Sequence, residues 1–176
     1  VSRHSLRPAM HPVLLDLIRS HRSPLIFVHS RRLSERLAAR LNELATEQSE
    51  SGSPVALVRA HHGSVAREQR LEIEDALKAG KLPALVATAS LELGIDISGL
   101  DAVLVAGWPG TRASLFQQIG RAGRAGPDAI EAFCGSDAPV DHFLVNHPDA
   151  IPAVSGEGPA FRPSHPYVPG RRCWAP

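Results

Sequence analysis

From Pro24 onward, short apolar runs alternate with stretches whose apolar residues recur every three or four positions, and this alternation constrains the fold more than any other feature. Short apolar runs bounded by turn residues are typical of buried strands, and the three-to-four spacing is typical of amphipathic helices. Because strands joined through helices pair in parallel, the pattern predicts an α/β fold, with a parallel central sheet flanked by helices in three layers. We predict strands at 24–30, 55–62, 84–90, 101–107 and 129–135. We predict helices at 13–21, 31–47, 64–78, 112–121 and 139–148, with Ser64 as the N-cap of the third.

The length and composition predict one domain with an irregular segment at each end. At 176 residues and 43% hydrophobic, the chain can bury one substantial core. We assign 1–11 to an N-terminal extension and 12–151 to the domain, while 152–176, rich in proline and glycine without periodicity, reads as a tail or linker. No apolar run reaches the roughly 20 residues that cross a bilayer, and the opening lacks the apolar core of a signal peptide. We therefore expect a cytoplasmic protein that does not contact membranes.

The cysteines and histidines do not form a recognisable metal-binding pattern. Cys134 and Cys173 stand far apart without neighbouring ligand pairs, which fits neither a zinc knuckle nor a disulfide framework. His61 and His62 are adjacent in a predicted strand, so their side chains should point to opposite faces of the sheet. We expect no metal site in this chain.

The formal net charge of +1 hides an uneven distribution along the chain. Residues 1–50 carry eight Arg against five acids, and 101–126 carry three Arg against one acid, whereas 127–161 carry six acids and neither Lys nor Arg. A nucleic-acid contact would therefore use the surfaces built by the first and middle segments, with the acidic segment turned away. The alternative is that these charges simply form solvated surfaces.

A pair of arginines separated by glycine stands in the segment QQIGRAGR at 117–124. Arg121 and Arg124 are three residues apart and would lie on one face of a helical turn. Two guanidinium groups so placed can donate in fixed planes to phosphate oxygens, and they stay charged at any working pH. The segment therefore predicts an arginine pair for phosphoryl transfer, presented by the helix at 112–121. A flexible basic loop is the alternative interpretation.

Polar residues and glycines follow four of the predicted strands. These groups are Ser30 and Arg31, His62 and Gly63, the segment from Thr88 to Asp96, and the segment from Trp108 to Thr111. Open α/β sheets bind their ligands beyond the carboxyl ends of the strands. Because the carboxyl ends of parallel strands meet at one edge, we expect these four groups to line a common site.

Four segments, in chain order, resemble motifs of the second RecA-like lobe of superfamily 2 helicases of the DEAD/DEAH type. FVHSRRLSERLAARLNEL is similar to motif IV, AHHGSVAREQR to motif IVa, VATASLELGIDI to motif V and QQIGRAGR to motif VI. The resemblance covers roughly residues 12–150 and implies a RecA-like three-layer fold. The first three segments are closest to the large helicase-related (Lhr-like) proteins. The stretch from AGWPGTRASLF to HFLVNHP is more similar to related helicases with a C-terminal zinc domain, whose four cysteines this sequence lacks.

The resemblance assigns a nucleotide site to motifs V and VI. Arg121 and Arg124 match the arginines that reach the γ-phosphate of ATP held by the other lobe. Gln117 matches the residue that couples the nucleotide state to the contact between lobes. Gly94 and Asp96 match a pair at the nucleotide edge, where a carboxylate can accept from ribose hydroxyls. A local turn cap is the alternative role for Asp96.

The resemblance also assigns contacts with the nucleic-acid backbone to Ser30, Arg31, Gly63, Arg70 and Thr88. Hydroxyls, exposed amides and guanidinium groups suit phosphate oxygens, and such contacts position a strand without reading its sequence. The alternatives are structural, with Ser30 as a helix cap and Arg70 in a surface ion pair. Trp108 could stack on a base or support packing.

The motifs that hold ATP and Mg²⁺ in such enzymes are missing from this sequence. It contains no G-x-x-x-x-G-K-[ST] segment, and no Asp-Glu pair follows a predicted strand. The resemblance therefore implies an upstream RecA-like lobe that supplies both, so that this chain alone would be inactive.

We expect the second lobe of an ATP-dependent nucleic-acid helicase, with DNA favoured over RNA, 3′-to-5′ movement and a role in DNA repair. The alternative is a non-catalytic module, derived from a helicase lobe, that binds nucleic acid or a partner protein. A dinucleotide-binding oxidoreductase also fits the α/β pattern, but no G-x-G-x-x-G follows the first strand.

Overall fold

The computed structural model describes residues 10–49, 54–79, 81–89, 100–121, 129–136, 138–147 and 173–174. Its helices are α1 (Met10–Ser20), α2 (Arg31–Glu47), α3 (Arg67–Lys78), α4 (Arg112–Ile119) and α5 (Pro139–Asn146). Its strands are β1 (Leu25–Val28), β2 (Val58–His61), β3 (Ala84–Thr88), β4 (Ala102–Ala106), β5 (Ile130–Cys134) and β6 (Cys173–Trp174).

The six strands form one sheet in the order β2-β3-β1-β4-β5-β6. The first five of these are parallel, and β6 pairs with β5 in the antiparallel direction. Strands β1, β4 and β5 are buried at every position, as expected for parallel strands covered by helices on both faces. Strand β2 lies at an edge and exposes Arg59.

Two apolar cores, one on each face of the sheet, make the three layers. Alternate residues of each strand point to opposite faces, so Ile26 joins one core and Phe27 joins the other. On the first face, α1 and α2 pack with Leu14, Leu37 and other apolar side chains. On the second face, α3, α4 and α5 contribute Ile73, Leu77, Leu115, Ile119 and Leu144. The predicted RecA-like α/β fold is therefore confirmed.

Five helix ends differ from the prediction by one to three residues, and three of these differences change how the sequence is interpreted. Helix α1 begins at Met10, inside the predicted extension. Pro12 permits this early start, because a proline in the first turn lacks only an N–H that would have no helical partner. Helix α3 begins at Arg67, and Ser64 is not its N-cap, because a turn closed by the Val65 N–H and the His62 carbonyl at 3.0 Å comes first. Helix α4 ends at Ile119, so Arg121 follows the helix instead of lying on it.

Strand β6 lies within the segment predicted to be an irregular tail. Its residues Cys173 and Trp174 are paired with Cys134 and Phe133 of β5. The assignment of this segment to a tail or linker stays a prediction. The sequence did not predict the strand, because a two-residue strand leaves no periodic pattern and is set by the unpaired backbone groups of a neighbouring strand. Among the described residues, every helix falls short of the length and apolarity that crossing a membrane requires.

Candidate functional site at the carboxyl edge of the sheet

The carboxyl ends of four strands lie in a row along one edge of the sheet. Val28 at the end of β1 is in register with Thr88 of β3 on one side and with Ala106 of β4 on the other. His61, the last residue of β2, is in register with Ala87. The prediction that the groups after these strands share one edge is confirmed for the residues that the structure describes. Gly94, Asp96 and Arg124 lie outside them.

Ser30 caps the helix that follows β1. Its backbone is extended, and its hydroxyl oxygen accepts a hydrogen bond from the Leu33 N–H at 3.2 Å. The cap interpretation is therefore correct, and it occupies only the oxygen, since the hydroxyl hydrogen can still donate. The positive end of the α2 dipole and the exposed Arg31 make this helix start attractive to an anion.

Arg31 is held by an acidic side chain one turn further along α2. Its Nε donates to Oε1 of Glu35 at 3.1 Å, and Nε2 of His62 lies 3.1 Å from the same oxygen. Arg31 first, and His62 to a lesser degree, lower the pKa of Glu35. His62 is buried, whereas Arg31 and Glu35 are largely exposed. His62, which follows the end of β2, therefore anchors the Arg31–Glu35 ion pair at the surface.

The neighbouring histidine makes a similar contact on the other face of the sheet. Nε2 of His61 lies 3.4 Å from Oε1 of Glu74 on α3. Burial is the main cause that lowers the pKa of His61, and the charge of Arg70 adds to it. Arg70 forms no ion pair with any carboxylate of the described residues, and its Nε is buried without a hydrogen-bond partner. The surface ion-pair interpretation of Arg70 is therefore wrong.

The two histidines do point to opposite faces, as predicted, but the sequence analysis missed what each of them contacts. His62 reaches α2 through Glu35, and His61 reaches α3 through Glu74. A signal was present, because each helix carries a glutamate four residues after an arginine that was assigned to the nucleic-acid backbone.

Gly63 and Thr88 lie beside these groups. Gly63 is exposed, and a methyl group built on it would meet nothing within 4 Å. Neither packing nor backbone conformation therefore requires a glycine at this position. Thr88 ends β3 and is partly exposed. Both are accessible from the edge, which suits the assigned contacts.

Asp141, a buried carboxylate of α5, shapes the other half of the edge. Its Oδ1 accepts from the Trp108 N–H at 2.9 Å, and its Oδ2 accepts from the Ser136 N–H at 2.7 Å. It is 2% exposed, so it holds the loops after β4 and β5 in a place that water hardly reaches. The sequence analysis missed this role, because it placed Asp141 in an acidic segment turned away from the site.

Gly107 makes the close approach of these loops feasible. Its φ is +88°, and a Cβ at this position would lie 2.2 Å from Nε2 of His29 and 3.1 Å from Oδ2 of Asp141. Only glycine fits both the backbone and the space. The next residue, Trp108, is partly buried and packs against the core of the second face, which favours its packing role.

Helix α4 begins four residues after Trp108 and carries the predicted coupling residue Gln117. Its N-cap is Thr111, whose hydroxyl accepts from the Ser114 N–H at 3.1 Å. Gln117 is exposed, whereas the adjacent Gln118 is buried. Arg121 is partly buried in the turn after the helix, where its backbone N–H donates to the Gln118 carbonyl oxygen at 3.4 Å. Helix α4 therefore ends before Arg121 and does not present it.

Comparison with known proteins gives matches to helicases. The Helicase conserved C-terminal domain family matches residues 10–126. Among the relatives, the Lhr helicase/probable uracil glycosylase of Mycolicibacterium smegmatis is 40% identical over 148 residues, which cover 70% of this chain and 10% of the relative. ATP-dependent helicase HRQ1 of Saccharomyces cerevisiae is 36% identical over 143 residues, which cover 81% of this chain and 13% of the relative. The chain thus spans about a tenth of the length of these relatives.

Solved helicase structures share the fold. Mycobacterium smegmatis helicase Lhr bound to ssDNA and AMP-PNP matches with a TM-score of 0.70 and 40% identity, over 87% of this chain and 20% of that one. The DUF1998 helicase MrfA bound to DNA and AMPPNP matches with a TM-score of 0.72 and 28% identity, over 88% of this chain and 21% of that one.

Proposed function

This chain belongs to the Helicase conserved C-terminal domain family, and from that membership we propose that it forms the second RecA-like lobe of an ATP-dependent DNA helicase. The observation that supports this most directly is the row of strand ends, where Thr88 ends β3 and where Ser30 and Gly63 follow the ends of β1 and β2. Motif VI begins on α4, the helix that follows β4. The two related structures that carry both DNA and an ATP analogue support DNA and ATP as the ligands.

The proposed role at ATP belongs to Arg121, Arg124 and Gln117. A guanidinium group suits the charge that spreads over the γ-phosphoryl oxygens during transfer, and one such arginine contributes about a thousandfold or more in rate. We propose that a separate upstream lobe holds ATP and Mg²⁺, so that the arginines complete the site only when the two lobes close. Gly94 and Asp96 would contact the nucleotide from the same side.

The proposed DNA contacts run along the α2 and α3 side of the edge. The Ser30 hydroxyl, the Arg31 guanidinium and the amide at Gly63 would bind phosphate oxygens, together with Arg70 and Thr88. Such contacts hold a strand whatever its sequence. Alternate tightening and release of the grip as ATP closes and opens the lobes would move the lobe along the strand.

Four finer proposals rest on the resemblance of the motifs. The whole protein would be a DEAD/DEAH-type superfamily 2 helicase, would move 3′ to 5′, would serve DNA repair and would work in the cytoplasm.

The arginine role is tested in the two-lobed protein by the variants Arg121→Ala and Arg124→Ala. We expect ATP turnover to fall about a thousandfold in each, with single-stranded DNA binding retained. Arg112→Ala is the matched control, because Arg112 is an exposed arginine on α4, the helix that precedes Arg121. Turnover within about twofold of the wild-type value in the arginine variants would overturn the assignment.

The missing half of the site is tested with this chain alone. We expect no ATP turnover with or without single-stranded DNA. Turnover that survives purification and disappears in Arg121→Ala would show a complete nucleotide site here and would overturn the proposed division between two lobes.

A further inference from the structure

Glu35 is an acidic side chain in the place where the proposed function puts a polyanion. It lies on the first two turns of α2, next to Arg31 and close to the cap residue Ser30. A carboxylate so near a phosphate path repels the DNA, and this repulsion acts against binding. We therefore expect Glu35 to have a second role that offsets this repulsion.

One oxygen of Glu35 joins an exposed group to a buried one. Oε1 lies 3.1 Å from Nε of Arg31 and 3.1 Å from Nε2 of His62. An exposed pair at this helical spacing contributes little to stability by itself, since both side chains lose freedom when they pair. The His62 side chain is only 7% exposed, so it anchors the carboxylate from the interior.

The contact leaves the phosphate-binding end of Arg31 available. Arginine has five N–H donors, and its bond with Glu35 uses the one on Nε. The two Nη groups can then donate to two oxygens of one phosphate, which is the arrangement in which arginine binds phosphate most strongly. A guanidinium already held in place loses less side-chain freedom on binding than a mobile one.

We propose that Glu35 and His62 are positioning residues that hold the Arg31 guanidinium for contact with a DNA phosphate. The inference rests on the proposed function, because it needs Arg31 to bind the backbone. Glu35 would thus strengthen DNA binding through Arg31, although its own charge opposes DNA.

The test measures binding of a fluorescent single-stranded oligothymidylate to the whole chain at low salt. Positioning predicts that Glu35→Gln weakens binding about two- to tenfold, the effect of freeing one long side chain. Simple electrostatics predicts the opposite sign, since the variant loses one negative charge. Glu43→Gln is the matched control, because Glu43 is also exposed on α2 and pairs with Arg40 three residues before it. We expect Glu43→Gln to bind as tightly as the wild-type chain or slightly more tightly.

A double-mutant cycle shows whether the effect of Glu35 passes through Arg31. In the Arg31→Ala background we expect Glu35→Gln to have no weakening effect. For the buried partner, we expect His62→Gln to keep most of the affinity, because its amide can donate to Glu35, whereas His62→Ala should lose as much as Glu35→Gln. The thermal midpoint of each variant shows whether it is folded, and His62→Gln serves as the test if His62→Ala does not fold.

The outcomes separate the inference from the proposed function. If the wild-type chain does not bind the oligonucleotide, or if Arg31→Ala binds as well as the wild type, the proposed DNA contact fails and the inference fails with it. If Arg31→Ala weakens binding but Glu35→Gln leaves it unchanged or tightens it, only the inference is overturned. An equal loss for Glu35→Gln in both backgrounds also overturns it.

Discussion

The two halves of the carboxyl edge are built in different ways. Beside β2, side chains hold one another near the surface, since Glu35 contacts both the exposed Arg31 and the buried His62. Beside β4 and β5, one buried carboxylate holds the backbone of two loops. Surface side chains can change without loss of the fold, whereas buried backbone donors cannot lose their acceptor. The first half is therefore suited to binding a ligand, and the second half maintains the shape of the loop that leads into α4.

The largest effect is expected from removing the buried carboxylate. Asp141→Ala leaves two backbone N–H groups, the part-buried one of Trp108 and the buried one of Ser136, without their acceptor. Each hydrogen bond to a charged group contributes about 1.5–3 kcal/mol, so we expect a loss of about 4 kcal/mol in the free energy of unfolding, measured by urea titration. Asp16→Ala, on the exposed face of α1, should change it by less than about 0.5 kcal/mol. A similar small change for Asp141→Ala would contradict the proposed difference between the halves.

A second buried acid shows what a carboxyl group does without such donors. Glu131 on β5 is 2% exposed, its Oε2 has no hydrogen-bond partner, and burial raises its pKa to about 7 from 4.5. Between these two values the folded chain keeps a proton that the unfolded chain has lost. The contribution of Glu131 to the free energy of unfolding should therefore be most favourable below pH 4.5 and become less favourable by about 3 kcal/mol as the pH rises to 7.

Glu131→Gln should remove this pH dependence, because an amide does not titrate. Urea unfolding at pH 5 and pH 8 measures the difference. The free energy of unfolding of the variant should rise relative to that of the wild-type chain as the pH rises. A wild-type chain whose stability does not fall relative to Glu131→Gln over this range would show that the carboxyl is ionised in the fold.

Two glycines, one in each half of the edge, give a matched pair of substitutions. Gly107→Ala meets a positive φ and crowded neighbours, so we expect a loss of about 1–3 kcal/mol in the free energy of unfolding. Gly63→Ala meets open space and should not lower that free energy. It should weaken oligothymidylate binding by a few-fold, on the order of 1 kcal/mol, if the DNA backbone approaches this residue closely. Unchanged binding would show that the strand does not reach Gly63.

The smallest effect concerns the histidine on the opposite face from His62. Burial lowers the pKa of His61 below 6.5, so the unfolded chain takes up a proton that the folded chain does not. The contribution of His61 to stability is therefore complete above pH 6.5 and is lost as the pH falls below that value, opposite in direction to the effect of Glu131. In the Glu131→Gln background, His61→Asn should reduce the loss of unfolding free energy below pH 6.5, measured by urea titration at several pH values.

Much of the fold and part of the site could be predicted because their causes are local. Helix α2 has the predicted bounds, since its apolar period is unbroken and Ser30 caps its start. The five parallel strands were predicted because each is a short apolar run between turns. The shared edge then followed from parallel pairing alone. The role of Arg121 and Arg124 came from their spacing and from the resemblance, and the roles of the DNA-contacting residues came from the resemblance. All of these roles stay proposals.

The pairing of apolar runs into a parallel α/β sheet follows from the order and periodicity of the residues, and so does the placement of motif residues at its carboxyl edge. The surroundings of Glu35, Glu74, Asp141 and Glu131 cannot be predicted in this way. Three acids differ in their surroundings in the fold. Glu35 is exposed and contacts His62, Glu131 is buried with a raised pKa, and Asp141 is buried and accepts two backbone hydrogen bonds. The reason is that a carboxylate's role depends on its burial and on the donors around it, and only the packed chain brings those donors, from residues far apart in sequence, within bonding distance.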